Sequence, residues 1–124
     1  MALPIDPRYV AGLLPDLTAE NVARTIAIDF DGVCHSYEKG WQDGEIYGTP
    51  VPGALEGISR LRAKGFWVII ATAYSRDPQE VYKWMLNHGI YVDAVTVLKP
   101  PAIAYIDDRA IRFTNWPDVV KYFG

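Results

Sequence analysis

The chain has 124 residues, and 12 Lys and Arg against 15 Asp and Glu set a formal net charge of −3. Half of the residues are hydrophobic and 22% are charged, a globular balance that excludes a disordered chain and fits one domain with one core. The mild acidity excludes stable nucleic-acid binding through bulk positive charge, and a lone cysteine, Cys34, excludes an internal disulfide or a metal site built from several thiolates.

No apolar run approaches the ~18–20 residues that cross a bilayer, so no membrane partner is expected. The opening MALPIDPRYV lacks the basic-then-apolar layout of a signal peptide, and a cytoplasmic protein is expected. Residues 1–124 read as a single domain without internal repeats. Residues 1–24 form a leader in which Asp16 or Thr18 can cap a short helix. Ile26 to Phe30 is a short buried strand. Residues 33–50 carry Tyr37, Trp41, Ile46 and Tyr47 among Gly40, Gly44 and Gly48, a pattern that predicts a β-hairpin flap with an exposed aromatic tip.

Pro52 opens a helix near its first turn, where a missing N–H costs nothing. Leu55, Ile58 and Leu61 supply its apolar stripe, and Gly65 sits where a left-handed stop belongs. Phe66 to Ala71 is a near-continuous apolar run suited to a central parallel strand. Asp77, Pro78 and Glu80 mark the next helix start, Val81, Trp84, Met85 and His88 its inner face, and Gly89 its end. His88 reads as a helix-end residue, and Trp84 and Met85 as core. Val92 to Leu98 and Ile103 to Ile106 read as strands, Ile111 to Phe113 as a short further one, and Asn115-Trp116-Pro117-Asp118 starts a last helix. This alternation predicts an α/β fold, a Rossmann-like parallel sheet flanked by helices. In such sheets the reactive crevice lies at the carboxyl ends of the strands.

Polar groups follow each apolar run. Asp29-Phe30-Asp31-Gly32 follows the first, Thr72 the second, Lys99 the third, and Asp107 and Asp108 the fourth. Converging carboxylates repel one another unless a cation sits among them, and a hard divalent ion such as Mg²⁺ takes oxygen ligands. A cation, an ammonium and hydrogen-bond donors around one point suit a phosphate. One carboxylate can attack phosphorus while another serves the leaving oxygen. Singly, each motif has a plainer reading: a turn at Asp31-Gly32, a strand-end Thr72, a solvated Lys99, a loop ion pair at Asp107-Asp108-Arg109. Arg76 and Arg109 read as structural or surface cations, and Cys34 as a small packed side chain.

Taken in order, IAIDFDGV, VIIAT, VLKPP and AYIDDRA resemble the four motifs of the haloacid dehalogenase-like superfamily. The resemblance covers residues 25 to about 114, and the IDDR wording is similar to small deoxyribonucleotidases and polynucleotide phosphatases of that superfamily. It implies a Mg²⁺-dependent phosphohydrolase acting on a phosphorylated substrate through an aspartyl-phosphate. Asp29 would be the nucleophile and Asp31 the general acid and base. Gly32, Thr72, Ala73 and Lys99 would bind the phosphoryl group. Asp29, Asp31 through its carbonyl, Asp108 and Asp107 would surround the metal, with Asp108 favoured as the direct ligand of the last pair. Fewer than 20 residues separate Val33 from Pro52, room for a flap but not a cap domain. A capless, open site suits a bulky substrate, such as a nucleic-acid end or a phosphoprotein, or closure by a second subunit in a homo-oligomer. His35, Tyr37, Trp41, Asp43 and Tyr47 are the flap candidates for reading the substrate. Two other readings compete: an idle metal-binding or interaction domain, and a signalling receiver domain. The receiver carries its acidic pair first, whereas here that pair comes last.

Overall fold

A computed structural model describes residues 6–124, so the first five residues of the leader lie outside the described residues. Three strands read from the apolar runs form the centre of the sheet: β2 (Thr25–Asp29), β3 (Trp67–Ala71) and β4 (Ala94–Thr96). A fourth, β5 (Ala104–Ile106), pairs with β2, and β1 (Val10–Gly12) pairs with β4. The order is β1-β4-β3-β2-β5. Every pair is parallel except β1 with β4, which is antiparallel.

The sheet is therefore mixed, not wholly parallel as expected. The exception comes from the leader. Tyr9-Val10-Ala11 is too short to announce a strand, yet Val10 and Ala11 alternate onto opposite faces and both are buried. The leader helix forms where expected, as α1 (Ala19–Val22), with the Thr18 hydroxyl accepting from the Asn21 N–H at 3.1 Å.

Helices α2 (Ala54–Ala63) and α3 (Pro78–Asn87) cover one face of the sheet. Ile58, Val81 and Met85 pack there against Ile26, Ile28, Val68, Ile70 and Val95. Asp77 caps α3, accepting from the Gln79 N–H at 2.9 Å, with Pro78 in the first turn. Gly65 follows α2 at φ +89°, a left-handed turn that a Cβ would strain. His88 closes α3, with its Nδ1 2.8 Å from the Trp84 carbonyl. The opposite face, around Ile69 and Ala94, is covered by Tyr9 and Leu14.

Two further expectations are corrected. Residues 36–49 form a looped flap, not a hairpin ladder. The bridges beside it are isolated ones, Asp31 with His35 and His35 with Pro50. Turns such as Gly40 N–H to Tyr37 O and Glu45 N–H to Gln42 O take the backbone donors instead. No alternating apolar run exists there to hold a register. Residues 111–113 form no strand and are exposed. The last helix, α4 (Trp116–Tyr122), forms as expected from Asn115, which accepts from the Asp118 N–H, but buries none of its residues.

Candidate functional site

Strand period and register build the acidic end of the sheet. Along β2, Ile26, Ile28 and Phe30 enter the core under α2 and α3, so Asp29 falls on the other face with Ala27. Ile28 stands beside Ile106 in the parallel register, and the next residue on each chain is an aspartate. Asp29, Asp107 and Asp108 consequently place one carboxylate oxygen each within 4.8 Å of one another. Among the described residues, none of the three has an ion-pair partner. Gly32 makes room for this arrangement. Its φ is +85°, and a Cβ there would collide with the Asp108 carboxylate. The Gly32 N–H is itself used, donating to the His35 carbonyl at 2.8 Å.

Burial pushes the Asp29 carboxyl up to about 6, and repulsion from Asp107 adds to it. The carboxyl therefore gives up its proton closer to neutrality than an ordinary aspartate does. Lys99 shares a cleft of about 470 Å³ with Asp29, Asp107, Tyr105 and Ala71, and its Nζ stands 4.7 Å from the Tyr105 ring centre. Lys99 itself is exposed. The chemistry of this donor set, three carboxylates and no nitrogen or sulfur, fits a hard oxygen-seeking cation, and the oxygen spacing is compatible with a single ion among them.

Asp31 and Thr72 are not among those three carboxylates; both meet on Arg76, a residue whose sequence position reads as structure or surface. Arg76 is buried, with 4% of its surface exposed. Its Nη1 donates to both Asp31 carboxylate oxygens at 2.8 and 2.7 Å and to the Thr72 hydroxyl at 3.3 Å. The Thr72 N–H donates to the Thr96 carbonyl at 2.9 Å. Ala73 is exposed beside it.

His35, one of the flap candidates for reading the substrate, is also buried. The Gly48 N–H donates to His35 Nε2 at 2.9 Å. Nε2 is therefore the acceptor, and the ring proton belongs on Nδ1, 2.9 Å from Asp31 Oδ1. Phe30, Tyr47 and Trp84 surround the ring. The signal that could have found Arg76 is its position in the loop between a strand end and a capped helix, on the reactive edge of an α/β sheet. Cys34 is buried as expected, and burial pushes its thiol up to about 12, which leaves it inert as a nucleophile near neutrality.

Comparison with known proteins finds no match: no protein family, no curated protein and no solved structure.

Proposed function

We propose that this protein is a Mg²⁺-dependent phosphomonoesterase of the haloacid dehalogenase-like type, with a capless core whose loop over residues 36–49 serves as the flap. The observation that carries the reading is the convergence of Asp29 with Asp107 and Asp108, distant from it in sequence, one carboxylate oxygen of each within 4.8 Å of the others. They meet at the carboxyl ends of two neighbouring parallel strands, beside a cleft that also holds Lys99. That edge is where an α/β sheet builds its reactive crevice.

The Asp29 carboxylate attacks phosphorus, the bond to the leaving oxygen breaks, and an aspartyl-phosphate forms. Asp31 gives a proton to the departing oxygen and takes one from the water that cleaves the acyl phosphate. Lys99 offsets charge on the phosphoryl oxygens and the Thr72 side chain contributes a hydroxyl. Asp29, Asp107 and Asp108 would hold Mg²⁺, joined by the Asp31 carbonyl. Bound there, the ion supplies positive charge that keeps Asp29 ionised and neutralises the phosphate.

Hydrolysis of para-nitrophenyl phosphate with and without Mg²⁺ tests this. The wild-type protein is expected to turn over only with the ion. Asp29→Asn is expected to fall to background, and Asp31→Asn to slow by about 10²–10⁴-fold, the usual weight of general acid–base catalysis. Full activity in Asp29→Asn, or none in the wild type, would contradict the assignment.

A further inference from the structure

We propose that Arg76 is a positioning residue of this site, orienting Asp31 and tying it to the flap; the proposal rests on the phosphomonoesterase reading. One buried guanidinium meets two of the candidate catalytic positions, Asp31 on both carboxylate oxygens and Thr72 on its hydroxyl. Its Nε donates to the Gly44 carbonyl of the flap at 3.2 Å. The Phe30 and Trp41 rings stand 5.3 and 4.9 Å from the guanidinium carbon, and Trp41 also belongs to the flap. His35 repeats the connection from the other side, with Nδ1 on Asp31 and Nε2 on the Gly48 N–H.

Asp31 is thus held by two buried side chains, each bonded to the flap. A planar guanidinium fixed between aromatic faces restricts the rotation of the carboxylate it grips. Arg76 Nη2 is buried without a partner among the described residues, a cost that buried polar groups normally avoid. An arginine kept at that cost for orientation has a specific kinetic signature. Proton delivery by Asp31 matters for a poor leaving group and hardly at all for one that departs unprotonated.

The test compares kcat/KM, with Mg²⁺ present, for an alkyl phosphate and for 2,4-dinitrophenyl phosphate in wild type, Arg76→Gln and Trp41→Ala. Arg76→Gln is expected to lose about 10²-fold on the alkyl ester, the scale of an ångström-sized misplacement, and little on the dinitrophenyl ester. Trp41 is 42% exposed, so Trp41→Ala keeps the core intact if Arg76→Gln does not fold. It is expected to lose activity in the same leaving-group-dependent direction. Equal losses on both esters, or a gain on the alkyl ester, would overturn the positioning role while leaving the hydrolase reading intact. A wild-type protein inactive on both esters would overturn that reading and this role together.

Discussion

Asp29 sits where its charge is least welcome until something positive arrives. Its carboxyl is raised from 3.8 to about 6, and for an acid that shift means the folded state favours the protonated form. Stability from this group is therefore fully present below about pH 4 and lost as pH rises through about 6. For a half-buried group, screened by solvent, the loss is on the order of 1–2 kcal/mol. In chelator, Asp29→Asn is expected to match the wild type at pH 4 and to exceed it by about that amount at pH 7.5. Denaturant unfolding at the two pH values checks this, and an equal difference at both would contradict it. At the same scale, the acidic groups were legible because each directly follows an apolar strand. The hold of Arg76 and His35 on Asp31 was not. Their importance comes from burial and from bonds to Gly44 and Gly48 across 32 and 13 residues, which no local pattern records.

Among the elements, boundaries with local chemistry were the readable ones. The Asp77 cap, Pro78 and the Gly65 turn stand where the residues placed them, since each depends on its own side chain or lack of one. The flap and residues 111–113 failed as strands for the complementary reason: pairing needs a partner edge, and neither finds one. Helix α4 is an intermediate case. Asn115 and Pro117 start it locally, yet Trp116, Val120 and Tyr122 remain 69%, 66% and 72% exposed, so it adds little burial to the sheet. Truncation after Thr114 is accordingly expected to move the thermal midpoint by no more than about 3 °C, the range for removing unburied surface. A drop of 10 °C or more in a melting experiment would show that α4 is part of the core.

For the whole molecule, the decisive feature is how parallel register converts sequence distance into proximity. Asp29 and Asp107 are 78 positions apart but follow aligned residues, Ile28 and Ile106. The α/β class was readable from alternating apolar runs and helix signals. The antiparallel edge was not, because three residues of leader, Val10–Gly12, carry no period of their own and pair only once β4 exists. On the proposed reading, the carboxylates gathered by that register hold one divalent ion. Calorimetric titration with Mg²⁺ tests it most directly, on the wild type, Asp29→Asn and Asp108→Asn. One ion is expected to bind per chain in the wild type, with binding weakened at least tenfold in both variants. Wild-type binding that survives both substitutions, or no binding at millimolar Mg²⁺, would contradict the account.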